Sequence, residues 1–562
     1  MARATQPQAY DDDQQAEGEP LPAGPYEGET FTDMIVHKTP WWFISVFIHA
    51  IAFTICALIV VIAKPIEDTE IVTVQAPKPP PPEPEIEKPK DLEQTEKTVD
   101  IKAEVDDPIF KKAEESDRTE SDNNEDFREN KGDSPNEVSD KPYKGPGLND
   151  SIGSGGGGGG RYGHRLGGKA NLVKKAGGSN VTEEAVKNAL KWLARHQSAD
   201  GSWAMKKYLD QCGRVGKYQG KCDPDGIHAS VDVVTHNFDV GNTSLALLAF
   251  LGAGHTHTSK ETYDGINFGD VVRNGLQYLL RVQDGDGCVG SKDVEQFMYN
   301  HTIAALALSE AYGLTGSNKF KDKAQKAIDY IIASQNPGKA WRYIYQAGEN
   351  DTSVTGWAVM ALKSADLSGL SFDKNVAYDG ARAWLESVAY KAEGSGTGGT
   401  TRWKAGYQAP IDADVAIPGI NDTFNSKHPS MTAIAVMSRI FMDKKRNEPK
   451  VAGGAAVLLE DLPKWDKNEI DFYYWYYASL ALYQFDGPDG SHWKKWNKEM
   501  IDALVKNQNK EAEQDKAGSW EPVCRWSCKG GRVYGTAINA LTLEVYYRYA
   551  SVFGGKAEAG GK

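Results

Sequence analysis

Five residues, Asp239, His301, Asp351, His428 and Asp471, stand at or just before apolar helical stretches in the C-terminal two-thirds of the chain. Carboxylates and imidazoles in such positions can exchange protons or hold a cation, and an aspartate there can equally cap the helix it precedes. If the stretches stand side by side, the five gather around one cavity mouth. A second group is cysteine: Cys212 with Cys222, and Cys524 with Cys528. In an oxidising compartment these four are candidates for two disulfides of open connectivity, local or between the pairs. A four-cysteine zinc site is the rival reading, but Cys212 and Cys222 are spaced more widely than usual zinc ligand pairs. Asp284-Gly-Asp286-Gly287 is too short a fragment for a calcium loop and reads as a turn. The runs Phe472-Tyr-Tyr-Trp-Tyr-Tyr477 and Tyr546-Tyr-Arg-Tyr549 offer aromatic faces for sugars or cations. On a helix, six successive aromatics point in every direction, so some must reach a cavity or a neighbouring repeat. No metal ligand set is identified, and no cofactor is expected.

The elements that position these residues recur. Val186/Leu190/Leu193/Ala194, Val272/Leu276/Leu279/Leu280 and Ala324/Ile328/Ile331/Ile332 follow the i, i+4, i+7, i+8 stripe of an amphipathic helix with one inward face. Trp192, Tyr278, Tyr330 and Trp384 share a matched position, and Gln197, Gln283 and Gln335 follow five residues after the first three. Turns rich in Gly, Pro, Asp and Asn come next. After each turn runs a helix apolar all round, marked by Thr243-x-x-Ala246, Thr302-x-x-Ala305, Thr355-x-x-Ala358, Thr432-x-x-Ala435, Ala478-x-x-Ala481 and Ala537-x-x-Ala540. A helix without a polar face is buried on every side, so these six form an inner ring. The expected fold is all-α: one α/α toroid of about six helix pairs over residues 177–553, followed by a disordered tail over 554–562.

The turns Gln197-Ser-Ala-Asp-Gly-Ser-Trp203, Gln335-Asn-Pro-Gly-Lys-Ala-Trp341 and Gln508…Gly518-Ser-Trp520 resemble the Gln…Gly-x-Trp repeat of the squalene cyclase and protein prenyltransferase superfamily. The copy at Gln283 carries Cys288 in place of Trp, and the fifth copy has no recognisable turn. The resemblance implies the toroid scaffold, and function must come from a site. Alkene protonation in the cyclases of that superfamily needs an Asp-x-Asp-Asp acid. Here the nearest match, Asp412-Ala-Asp414-Val415, lacks the last aspartate. Diphosphate ionisation needs Asp-Asp-x-x-Asp, which the ring does not contain. The prenyltransferase zinc ligands are spelled by Asp286-Gly-Cys288 with His301, but on a turn rather than at the inner-helix position the family uses.

Outside the ring the composition is not globular. Trp41 to Ala63 contains no Asp, Glu, Lys or Arg over 23 residues, a length of roughly 35 Å as a helix, enough to cross a bilayer core. It reads as a transmembrane helix after a disordered acidic tail over 1–40, and as too long for a cleaved signal peptide. Residues 64–176 read as a disordered linker: a proline-rich spacer, an acidic tract and the glycine run Gly155–Gly160. As coil, the linker reaches on the order of 55–60 Å. Ser45 and His49 fall one turn apart on the membrane helix, where a histidine is costly and marks function. Ser45-Val-Phe-Ile-His49 with the following proline-rich tract resembles the N-terminus of TonB. That likeness implies a cytoplasmic N-terminus, a periplasmic C-terminal domain and docking on an ExbB–ExbD-like proton-channel complex. A histidine packed against a neighbouring helix is the plainer role. TonB ends in a small α/β domain, whereas this chain carries helical repeats. The net charge of −14, pI near 5.4 and absence of a basic aromatic patch argue against nucleic acid. The expected function is an inner-membrane-anchored periplasmic toroid that binds an envelope protein, a glycan or a lipid. The alternative is a cyclase-like or prenyltransferase-like enzyme acting on a polyprenyl substrate.

Overall fold

The computed structural model describes His49, Tyr162, Arg165, Cys222 and residues 169–205, 207–220, 237–392, 401–411, 415–416, 423–424, 428–466 and 469–549. The chain divides into two units, Met1–Asp100 and Ile101–Lys562. Of the first, only His49 is described, helical and exposed. Ser45, Cys56, the rest of the 41–63 segment and the proline-rich spacer lie outside the described residues. Among the described residues no helix is long and apolar enough to cross a membrane.

The second unit contains fourteen helices among its described residues. In chain order they are α1 (Lys169–Lys175), α2 (Asn180–Arg195), α3 (Asp239–Gly252), α4 (Phe268–Arg281), α5 (Phe297–Thr315), α6 (Asn318–Ser334) and α7 (Thr352–Ser368). There follow α8 (Lys374–Ser387), α9 (Ser430–Asp443), α10 (Pro449–Leu458), α11 (Phe472–Asp486), α12 (Ser491–Val505), α13 (Ser527–Leu543) and α14 (Val545–Arg548). The all-round apolar helices pack in sequence, α3 on α5, α5 on α7, α7 on α9, α9 on α11 and α11 on α13. Helix α13 then returns to α3 and closes the ring. Each striped helix covers the inner helix before it, and α2 covers α13, so the outer layer closes across the same seam. The architecture is an α/α toroid, with three two-stranded antiparallel hairpins as its described strands.

Small residues set the inner spacing: a Cβ on Gly356 of α7 would sit 2.4 Å from Ile434 Cγ2 of α9. The stripes are buried as their period requires, Val186, Leu190, Leu193 and Ala194 all at 2% exposure or less. The repeated turn has a mechanical reason. Gln197 Nε2 donates to Gly201 O at 3.0 Å in its own turn and to Val271 O at 2.9 Å in the next outer helix. Gln283, Gln335 and Gln508 make the same double bridge, the last to Ala185 O at 2.8 Å, across the seam. Trp203, Trp341 and Trp520 donate from Nε1 to the last turn of their own outer helices. After α8 the turn is replaced by the hairpin β1 (Ala389–Lys391) with β2 (Trp403–Ala405), in register Ala389 to Ala405.

Gly518 has φ +93°, and a Cβ there would lie 2.1 Å from Asn188 O of α2. Gly338 has φ +64° with open space around it. Gly518→Ala should therefore cost about 2–5 kcal/mol, against about 1–2 kcal/mol for Gly338→Ala, where only backbone strain is added. Denaturant midpoints for the two variants check this. Equal losses would mean that the seam is not tightly packed.

One end of the ring is plugged by chain assigned to the linker from sequence. Tyr162 and Arg165 precede α1 and are 1% and 2% exposed. Arg165 donates to Arg548 O at 2.6 and 2.9 Å and pairs with Glu310 of α5 at 2.7 Å. Arg548 reaches Glu310 at 3.1 Å and Leu248 O of α3 at 3.1 Å, and Tyr549 donates to Glu310 at 3.1 Å. Burial alone would raise the Glu310 carboxyl, but Arg165 and Arg548 hold it below its usual range. Tyr162 OH donates to Ser364 O of α7 at 3.2 Å, so the C-terminal ends of α3, α5 and α7 gather here, those inner helices run in one direction, and their N-termini form the opposite mouth. The ordered ring thus begins before residue 177, because Arg165 finds a buried carboxylate and a carbonyl rather than water.

Candidate functional site at the N-terminal mouth

The five mouth candidates occupy separate environments. Asp351 is the N-cap of α7, accepting from Val354 N at 2.7 Å through Oδ1. It is fully buried, and its Oδ2 makes no hydrogen bond of normal geometry. Burial pushes its carboxyl up to about 7, against smaller opposing pulls from the Val354 N–H, Arg342, the Ser353 N–H and the Tyr407 hydroxyl. Asp471 caps α11, accepting from Tyr474 N at 2.9 Å. Its second oxygen is held by His428 Nε2 at 3.4 Å, Arg525 at 3.5 Å and Trp526 Nε1 at 3.3 Å. Asp239 opens α3, accepts from Met205 N at 2.9 Å, and is raised by burial.

His301 is turned into the wall between α5 and α6. Its Nδ1 accepts from Val289 N at 3.0 Å and its Nε2 donates to Ala327 O at 3.1 Å. Burial lowers it to about 4, so it is a neutral brace. It serves its turn much as the Thr243 and Thr355 hydroxyls serve theirs, accepting from Trp203 N and Trp341 N. Among the described residues, no hydrogen bond or ion pair joins Asp351 to Asp239 or Asp471. The gathering of five thus resolves into a His428–Asp471 pair, a wall histidine, and two separate carboxyls.

What surrounds Asp351 is aromatic and hydroxylic. Tyr299 OH of α5 donates to Ser353 Oγ at 2.8 Å, and Ser353 Oγ meets Tyr473 OH of α11 at 2.7 Å. Tyr343 and Tyr407 hydrogen-bond through their hydroxyls. Trp357, 2% exposed, lies parallel to Tyr476 at 5.9 Å and edge-on to Tyr477 at 5.5 Å. Burial first, and the Asp351 carboxyl second, raise the Tyr299 and Tyr407 phenols well above normal, so both remain proton-bearing. The four phenols Tyr299, Tyr343, Tyr407 and Tyr473 are half-buried. This arrangement offers ring faces, a chain of hydroxyls and one carboxyl poised to give or take a proton at neutral pH. Of the four phenols only Tyr473 lies in a run singled out by the sequence, the run that also supplies Tyr476 and Tyr477. Tyr343 and Tyr407 sit in loops, where no periodicity marks them.

The other sequence candidates resolve individually. Lys292 Nζ bridges Asp284 at 2.7 Å and Asp286 at 2.8 Å, filling the place a calcium ion would need. Cys288 is buried with its Sγ toward Gly290 O, and His301 is committed to backbone, so no prenyltransferase-type zinc set forms there. Asp412 and Asp414 lie outside the described residues. The five described cysteines are all thiols, so the two expected disulfides are absent among them. Cys524 Sγ accepts from Phe472 N at 3.3 Å and Trp526 N at 3.4 Å, while Cys528 faces Arg525 O. Cys212 and Cys222 do lie together, but beside His196 and Asp515 rather than beside the other cysteine pair.

No protein-family model matches the chain, and no curated protein matches it. Among solved structures, it is similar to an inactive variant of the α-1,6-mannanase GH76A of Salegentibacter sp. HEL1_6 in complex with α-1,6-mannotriose. That match has 11% identity and a TM-score of 0.42, over 65% of this chain and 99% of that one. It is also similar to a variant of the type II terpene cyclase MstE from Scytonema, at 12% identity and TM-score 0.38, over 67% of this chain and 99% of that one. A protein from Actinoplanes matches at 15% identity and TM-score 0.34, over 65% and 99% of the respective chains. The ring closure seen in this chain itself carries the fold assignment.

Proposed function

We propose that the toroid binds a hydroxyl-rich ligand, a saccharide chain, at its N-terminal mouth and that Asp351 acts on it as a general acid. The observation that carries this reading is the Asp351 carboxyl, buried, raised to about 7 and with one oxygen left without a hydrogen bond. Such a group protonates a leaving oxygen near neutral pH. It is far too weak to protonate an isolated alkene, and the tyrosine hydroxyls around it suit sugars better than an isoprenoid chain. A panel of manno-, gluco- and N-acetylhexosamine oligosaccharides, screened by saturation-transfer NMR and by product analysis, tests it. Binding that is lost on Tyr473→Ala supports the saccharide reading. A copurifying polyprenyl compound with no saccharide binding would replace it with the polyprenyl alternative.

We further propose that the toroid lies in the periplasm, tethered by residues 64–176 to a single inner-membrane helix over 41–63. What supports this is the length and apolarity of that segment and its likeness to TonB. Ser45 and His49 then form the face that docks on an ExbB–ExbD-like complex. Affinity purification of the full chain should recover such a complex, and His49→Ala should lose it while the chain remains in the membrane fraction. Equal recovery by both proteins would leave His49 as a packing residue.

A further inference from the structure

His196 closes α2 at the end of the first outer helix and is fully buried. Its Nδ1 lies 2.8 Å from Trp192 O and donates to it, which turns Nε2 inward. The ring is stacked on Trp192 with centroids 4.2 Å apart, which fixes its orientation. Around Nε2 stand Asp515 Oδ2 at 3.2 Å, Cys222 Sγ at 3.4 Å and Cys212 Sγ at 3.8 Å. Cys222 Sγ is also 3.8 Å from Asp515 Oδ2, and all four ligand atoms lie within 4.8 Å of one another. Among the described residues this is the group whose spacing would hold a metal ion.

We propose that His196, Cys212, Cys222 and Asp515 form a structural zinc site that clips the first repeat of the toroid to the last. Zinc bonds of about 2.0 Å to nitrogen or oxygen and about 2.3 Å to sulfur place tetrahedral ligands about 3.3–3.8 Å apart. The four separations around Nε2 and between Cys222 and Asp515 fall in or beside that range. Without a cation, the two sulfurs make only long thiol contacts, Cys222 Sγ to Asp515 O at 3.5 Å and to Oδ2 at 3.8 Å, in a site where Cys222 is 0% and Asp515 2% exposed. The supporting shell is of the kind metal ligands have: Gly213 N donates to Asp515 Oδ2 at 3.0 Å and Cys222 N to Cys212 Sγ at 3.5 Å. Two thiolates exclude magnesium and calcium, and four protein ligands leave no open coordination position, so the role is structural rather than catalytic. The expectation of no metal is revised accordingly. Spacing alone hid the site, since His196 and Asp515 are 319 residues apart.

The test uses the full chain purified without chelator. Elemental analysis should find one zinc per chain, and cobalt exchanged into the site should give thiolate-to-cobalt charge transfer with intense tetrahedral visible bands. Cys212 and Cys222 should resist alkylation until a chelator removes the metal. Asp515→Asn, which keeps the side-chain shape, should weaken cobalt binding by about tenfold or more. Cys222→Ser should reduce the charge-transfer band by about half or more, and thiol alkylation of the wild-type chain provides a readout if that variant does not fold. Substoichiometric zinc with both thiols freely alkylated, or a Cys212–Cys222 disulfide found by mass spectrometry, would overturn the proposal.

Discussion

Asp351→Asn is expected to lower any turnover at the mouth by about 10²–10⁴-fold, while leaving the protein folded and more stable at pH 7. Asparagine is as good an N-cap as aspartate, so the bond to Val354 N survives. What disappears is the proton and the cost of burying a charge. In the native protein the carboxyl binds its proton up to about pH 7, whereas in the unfolded chain it ionises near its ordinary value of 3.8. The unfolded state therefore releases a proton that the fold keeps, and stability declines as pH rises from about 4 to about 7, then levels. A shift of that size corresponds to something on the order of 4 kcal/mol across the window. Glu544, buried and raised to about 8, adds a decline of the same sign, so the informative curve is the difference between wild type and variant. Denaturation from pH 4 to pH 8 should show the two proteins diverging only above about pH 4, with the variant the more stable. Parallel curves would mean that Asp351 titrates normally, and the general-acid reading would fall with them.

Glu310→Ala is expected to destabilise the toroid by about 3–5 kcal/mol. Its carboxylate is the shared anion of Arg165 and Arg548, all three with fully buried side chains. Removing it strands two guanidinium groups, and stranded buried charge is far more costly than the intact pair is stabilising. Glu544 is 3.4 Å from Arg548 but is held largely protonated at pH 7. It supplies a replacement charge only as pH rises through about 8, where the defect should shrink. Glu310→Gln separates charge from shape, since the amide keeps some hydrogen bonds without the anion. Denaturant midpoints at pH 7 and pH 9 distinguish these cases. A loss below about 1 kcal/mol would show that water reaches the plug and solvates the arginines.

Features set by neighbours in the chain are legible in the sequence. The outer stripes and the all-apolar inner helices follow from residues three and four apart, and the Gln197, Gln335 and Gln508 turns carry their geometry in a short motif. The chemistry was less legible because it is assembled across the ring. Tyr299, Ser353 and Tyr473 come from three different inner helices, and nothing in their local sequence pairs them. Asp351 could be picked out as one of several aspartates ahead of helices, but pattern does not distinguish it: full burial separates it from Asp239, and the lack of partners on Oδ2 separates it from Asp471. His301 illustrates the reverse: a histidine near a helix start reads as facing the cavity, while both its nitrogens are taken by backbone groups in the wall. Arg165 and Arg548 meet across 383 residues, so the basic stretch around Arg165 reads as linker until its partner is in view.

The seam also constrains how the protein can be made. Helix α2 emerges early, yet the inner helix that covers its stripe, α13, comes at the far end of the chain, and Gln508 reaches Ala185 over 323 residues. A growing polypeptide therefore holds an open arc with a sticky leading edge until synthesis is nearly finished, and contacts of such long range form late. Chains truncated before residue 527 should consequently associate with one another, each arc seeking in a second copy the helix it lacks.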